Sequence, residues 1–207
     1  MTSYAARVDA LEQTWSEWAR IGSQLSEQDW RRPTRCEPWQ VAQLFAHHSS
    51  FPVVLASPAT TKDQTPTVSA ADVLRGFNAP GGEAHTMASA VAERAAAVSA
   101  KHPPAELVER FAVTGPRAIA ALRAANPDQP VPWVDNVVPL AEVVRIAVLE
   151  ATVHLLDLRR ALGQPPSVPD GALRESARLL AEIAPAVEFI ESATGRAPAT
   201  TPLPVIR

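Results

Sequence analysis

The sequence predicts an all-α protein. Glycine is scarce, at 8 of 207 residues, alanine and leucine are common, and apolar residues recur every three or four positions rather than alternating. With 46% hydrophobic and 20% charged residues, the chain can bury one sizeable core and does not read as disordered. A formal net charge of -3 gives no broad attraction to nucleic acid or an anionic membrane, so neither is expected as a partner. Cys36 is the single cysteine, which excludes an intrachain disulfide. The N-terminus lacks a basic start followed by an apolar run, and no apolar stretch approaches the roughly 20 residues of a membrane helix. The expectation is a soluble, cytoplasmic protein, monomeric or homodimeric.

The elements follow from periodicity and punctuation. A first helix is expected over Tyr4–Leu25, where Tyr4, Val8, Leu11, Trp15, Trp18, Ile21 and Leu25 share a face. Ser26-Glu27-Gln28-Asp29 has the form of a capping box opening a short turn that ends near Trp30. After a loop over Arg31–Glu37, Pro38 suits the first position of a second helix running to about Leu55, kinked or ended by Pro52. A polar loop, Ala56–Pro66, leads to a cap at Ser69 and Asp72, and Pro80-Gly81-Gly82 breaks the segment that follows. Helical pattern resumes over Glu83–Ala100 and Pro104–Ala125, the latter with a kink expected at Gly115-Pro116, and a loop spans Asn126–Val138. The clearest helix runs from Pro139 to about Leu162, stopped by Gly163 with Pro165 beyond. A last helix covers about Asp170–Ala193, disturbed at Pro185. The domain is expected to span 1–196, with a Pro-rich tail over 197–207.

On the helix Pro139–Leu162, Glu150 and His154 are four residues apart and share one face with the apolar Val143, Ala147 and Leu158. A glutamate on a buried stripe is costly unless paired or bound to metal. On the second helix, spacing from Leu44 and Phe51 turns His47 inward, with His48 at the edge of that face. One carboxylate and two imidazoles from facing helices would leave coordination positions open, as in catalytic zinc sites. Asp157 could accept the free ring N–H of an imidazole and fix its tautomer. Bland readings stand beside this one: Glu150 could pair with Arg145 or Arg159, and Glu/His pairs at helical spacing also arise by chance. Cys36 reads more simply as a small packing residue than as a nucleophile, and His85 and His102 as solvated side chains.

The run Leu25-Ser26-Glu27-Gln28-Asp29-Trp30, followed by Thr34-Arg35-Cys36-Glu37-Pro38-Trp39-Gln40-Val41 and Ala46-His47, resembles the start of the mycothiol-dependent maleylpyruvate isomerase N-terminal family. Leu149-Glu150-Ala151-Thr152-Val153-His154-Leu155-Leu156-Asp157-Leu158 is similar to that family's E-x-x-x-H-x-x-D-L segment, and Phe189–Arg196 resembles the ending of its short members. The resemblance implies a DinB-like four-helix bundle with additional short helices, and a divalent metal, zinc by its donor set, on His47, Glu150 and His154. It further implies a thiol of the mycothiol type as cosubstrate, activated for S-transfer to, or isomerisation of, a small electrophile. His48 stands where the family more usually has an apolar residue, and is the candidate catalytic acid/base. In the isomerase itself a second, C-terminal domain supplies an arginine to the substrate site, and no position here corresponds to it. A metal-binding sensor without turnover, and a hydrolase in which water is the nucleophile, are the alternative functions.

Overall fold

The computed structural model describes residues 2–61, 64–66, 68–133 and 136–197. Helix α1, Tyr4–Gly22, opens on Ser3, whose hydroxyl accepts from the Ala6 N–H, and buries Val8, Leu11, Trp15, Trp18 and Ile21 as the periodicity expected. It stops three residues short of Leu25, because Ser23 and Gln24 turn their N–H groups back onto Ala19 and Ile21. A Cβ at Gly22 would lie 2.7 Å from Val108 Cγ2 and 2.9 Å from the Phe45 ring, so glycine is what permits this close approach. The Ser26–Asp29 capping box starts α2, Glu27–Trp30.

The second long helix does not begin at Pro38. It begins at Val41, as α3 (Val41–His48), because residues 34–39 close on themselves first. The Thr34 N–H donates to the Trp39 carbonyl at 2.9 Å, Trp39 N–H donates to the Cys36 carbonyl at 2.8 Å, and Pro33 bridges to Gln40. The chain breaks at Ser49 and continues as α4, Ser50–Leu55. Pro52 explains the break, since it has no N–H to offer the His48 carbonyl one turn back.

Helix α5, Ala70–Asn78, starts at the expected Ser69–Asp72 box; α6, Glu83–Thr86, and α7, Ala88–Lys101, divide at Met87 the single helix expected there. The expected kink at Gly115-Pro116 takes the form of a widened, π-helical turn, Arg110–Thr114, between α8, Pro104–Glu109, and α9, Gly115–Ala124. The loop expected over 126–138 instead contains a two-stranded antiparallel hairpin, β1 (Pro130–Trp133) and β2 (Asn136–Pro139). Its three prolines had suggested irregular chain, but Val131 and Val138 pair directly and are both buried, so a small apolar face holds the hairpin down.

Helix α10, Leu140–Ala161, is the spine of the molecule. It ends as expected: Gly163 adopts φ 68° and the Gln164 N–H donates to the Arg159 carbonyl at 2.8 Å. Helix α11, Asp170–Ile183, and α12, Ala186–Ala193, are separated at Pro185. The Pro-rich tail expected over 197–207 lies outside the described residues beyond Ala197. The all-α bundle is therefore the observed fold, with the hairpin as the one sheet among the described residues.

Helix α1 packs on α9, α10 and α11; α10 also packs on α3 and α5, and α4 on α9. Trp18, Phe45 and Phe111 meet at the centre, with ring centroids 4.9 Å (Trp18–Phe45) and 5.3 Å (Trp18–Phe111) apart. The Trp18 Nε1–H donates to the Ala151 carbonyl at 3.2 Å, tying α1 to α10 one residue beyond Glu150. Arg145 is buried among Glu142, Glu175 and Glu182, and Arg159 pairs with Glu17 at 2.7 Å. No helix among the described residues is long and apolar enough to cross a membrane.

Candidate metal centre

The i,i+4 spacing on α10 stacks Glu150 beneath His154, and the contact between α3 and α10 brings His47 opposite them. Glu150 Oε2 lies 3.4 Å from His154 Nε2 and 3.8 Å from His47 Nε2. The three donor atoms fall within 4.8 Å of one another, and the two imidazole rings stand nearly perpendicular with centroids 5.1 Å apart. These gaps exceed a normal hydrogen bond of about 2.7–3.2 Å. The 3.4 Å gap falls within, and the 3.8 Å gap just above, the edges of about 3.3–3.6 Å expected between donors arranged tetrahedrally around an ion at about 2.0–2.2 Å. The donor set therefore fits a divalent ion, and zinc suits two imidazoles and one carboxylate well.

The competing pairings of Glu150 are absent: Arg145 is turned to Glu142, Glu175 and Glu182, and Arg159 to Glu17. With protein groups alone, burial raises the Glu150 carboxyl pKa, but His154 and His47 facing it outweigh that and hold it well below the usual carboxylate range. Glu150 is thus held as the carboxylate.

His154 is fixed from behind. Its Nδ1 donates to Asp157 Oδ2 at 2.9 Å, which directs Nε2 toward Glu150, as the sequence expected of Asp157. Burial lowers the His154 pKa, yet Asp157, Cys36 and Glu150 together raise it well above the ordinary imidazole value. Asp157 is buried; burial raises its pKa, while His154, Arg35 and Cys36 bring it below the usual range. Cys36 packs against the core as a half-buried residue, and its thiol also donates to Asp157 Oδ2 at 3.1 Å.

The placement expected for His48 is corrected. It lies not at the edge of the inward face but in the core, 0% exposed, with neither ring nitrogen bonded to protein. Trp18, Phe51 and Phe111 surround it at centroid distances of 4.8, 5.3 and 5.5 Å, and His154 lies at 6.2 Å. Burial first, then His154 and His47, push its pKa well down, against a smaller opposing effect of Glu150. Its resting form is the neutral ring. His102 pairs with Glu106 at 2.8 Å and His85 is exposed, both away from the centre.

Two contacts escaped the sequence reading. Trp39 packs on His47 with centroids 4.8 Å apart, and Arg35 donates through Nε to Asp157 Oδ1. Both residues lie in the segment that carries the family resemblance, but nothing in a loop's periodicity points Trp39 at the following helix or Arg35 at a helix more than a hundred residues away.

Residues 11–159 match the family model described as the mycothiol maleylpyruvate isomerase N-terminal domain. No curated protein matches the chain. Among solved structures, the chain is similar to the crystal structure of a mycothiol-dependent maleylpyruvate isomerase at 19% identity and a TM-score of 0.56, over 84% of this chain and 68% of the other. A point mutant of that enzyme matches over the same shares at 17% identity and the same TM-score. At such identities the likeness is one of fold.

Proposed function

The chain belongs to the mycothiol maleylpyruvate isomerase N-terminal domain family, and on that premise we propose that it is a divalent-metal enzyme acting with a low-molecular-weight thiol of the mycothiol type. The thiol attacks a small electrophilic substrate, ending in S-transfer or isomerisation, and the unit responsible is the helical domain over 1–196. The observation that carries this reading is the spacing of Glu150 Oε2 from His154 Nε2 and His47 Nε2, too wide for hydrogen bonds and suited to shared ligation.

His47, Glu150 and His154 would hold the ion. When bound, it supplies a Lewis acid that lowers the pKa of a thiol so that the thiolate is available at neutral pH. The protein groups do the rest. Glu150 enters already ionised; Asp157 holds the proton of His154 at Nδ1 and leaves Nε2 free; Trp39 packs against the His47 ring. His48, the candidate acid/base, is a buried neutral imidazole 6.2 Å from the His154 ring; with its pKa pushed well down it would relay the thiol proton rather than retain it.

The test is cobalt-loaded protein titrated with mycothiol, bacillithiol, glutathione and cysteine, after purification without a histidine tag. A strong sulfur-to-metal charge-transfer band in the near ultraviolet is expected with at least one thiol, accompanied by proton release. Protein that takes up cobalt but shows no such band with any of the four would remove the thiol reading and favour a hydrolase using water.

A further inference from the structure

The turn Thr34–Trp39 is closed by four hydrogen bonds of its own. Besides the two backbone bonds described above, Thr34 Oγ1 donates to the Trp39 carbonyl at 2.8 Å and accepts from the Cys36 N–H at 3.1 Å. Its two ends are further held by the Val41 N–H on the Arg32 carbonyl at 3.0 Å. A turn so closed projects its side chains in fixed directions. Arg35 and Cys36 both reach Asp157, one on each carboxylate oxygen, and Oδ2 is the same atom that takes the His154 proton.

We propose that Arg35 is a positioning residue for His154: the guanidinium and the Cys36 thiol together pin the Asp157 carboxylate, and so set the angle at which His154 presents Nε2. The inference rests on the reading of His47, Glu150 and His154 as metal ligands. A buried carboxylate with one partner can rotate about its side-chain torsions. With Nε on Oδ1, and Sγ and Nδ1 both on Oδ2, the plane of the Asp157 carboxylate is determined. Arg35 is half exposed, so its conformational freedom is limited by this contact rather than by packing. The bond uses Nε alone and not the bidentate fork, so a lysine at this position can replace the charge and the single donor. The same turn carries Trp39 on to His47, so one short segment governs both imidazoles from outside the bundle.

The experiment measures zinc affinity by chelator competition for Arg35→Ala, Arg35→Lys, Cys36→Ala, Cys36→Ser and Asp157→Asn, with Arg160→Ala as control. Arg160 is a neighbouring surface guanidinium with no bond to Asp157 among the described residues. Asp157→Asn is expected to weaken zinc by about 10–100-fold, and Arg35→Ala by about tenfold, the lower end of that range. Arg35→Lys and Cys36→Ser restore most of the affinity lost in the alanine variants, and Arg160→Ala matches the native protein. In the Asp157→Asn background, Arg35→Ala should cost nothing further, because its route to the metal is already cut. An independent readout is the Nδ1–H proton signal of His154 in metal-free protein, which should be slow to exchange natively and lost to exchange in Arg35→Ala.

Native-like zinc affinity in Arg35→Ala, or an undiminished Arg35→Ala effect in the Asp157→Asn background, overturns the positioning role and leaves the metal reading intact. Native protein that binds no zinc overturns the metal reading, and the positioning role with it.

Discussion

Replacing His48 with leucine tests the account of this residue from two directions. In the native protein a fully buried imidazole has both nitrogens without a protein partner, a burden of about 1–3 kcal/mol for each. Leucine removes that cost but forfeits the ring contacts with Trp18, Phe51 and Phe111, worth about 0.5–1.5 kcal/mol for each pair. The net expectation at pH 7 is a variant more stable by about 1 kcal/mol. The pH dependence supplies the second arm. The folded-state pKa of His48 lies below its ordinary value of 6.5, so the unfolded chain takes up the proton first and stability is lost as pH falls through that value. Between pH 7 and pH 5.5 this group alone should cost the native protein up to about 1.3 kcal/mol, a cost absent from the leucine variant. The charged groups that act on His48 through space are His154, His47 and Glu150, and all three remain in both proteins, so the difference between the two curves isolates it. The assay is urea unfolding of chelator-treated protein at several pH values. A variant less stable at pH 7, with a gap that fails to widen on acidification, would refute the argument and mean that the His48 nitrogens are satisfied inside the fold.

Two further outcomes follow from the geometry. His47→Ala, Glu150→Ala and His154→Ala should each lose most bound metal by elemental analysis yet keep the helical circular dichroism of the native protein, whereas His48→Ala should keep the metal, because His47 rather than His48 faces Glu150. Arg145→Ala should lower unfolding stability by about 3–5 kcal/mol, since it leaves the buried Glu175 with a depleted set of cations; a loss under 1 kcal/mol by urea titration would show that Arg7 alone satisfies that carboxylate.

What was readable in the sequence is what is decided within one or two helical turns. The Ser26–Asp29 and Ser69–Asp72 boxes, the glycine stop at Gly163 and the stacking of Glu150 beneath His154 all depend on residues three to five apart. The errors arose where bonds of a non-helical pattern, or partners elsewhere in the fold, decide. Pro38 is a sound helix start by local preference, but hydrogen bonds from Thr34 to Trp39 claim that stretch for a turn. The hairpin at 130–139 depends on burial of Val131 and Val138, which prolines on either side concealed. Whether Glu150 met Arg145, Arg159 or a histidine could not be decided from spacing, because all four lie on one helix or face it. The fold decides by giving the two arginines other carboxylates on α1, α10 and α11. His48 fell one residue too deep because α3 is rotated so that His47 meets α10 and the next side chain enters the aromatic core.

The candidate donor set is lopsided in chain order, two candidate ligands one turn apart on α10 and the third about a hundred residues earlier on α3. An ion held by all three would therefore act as a cross-link, closing a loop of that length much as a disulfide does. For a covalent tie the chain-entropy model gives roughly 4–5 kcal/mol at about 100 residues. Glu150 and His154 alone tether nothing, since their helix already holds them together. The tie depends on His47, so occupancy of the site and the seating of α3 against α10 would be one equilibrium observed in two ways, and withdrawing the ion would loosen the α3 edge of the bundle before the α1–α10–α11 side.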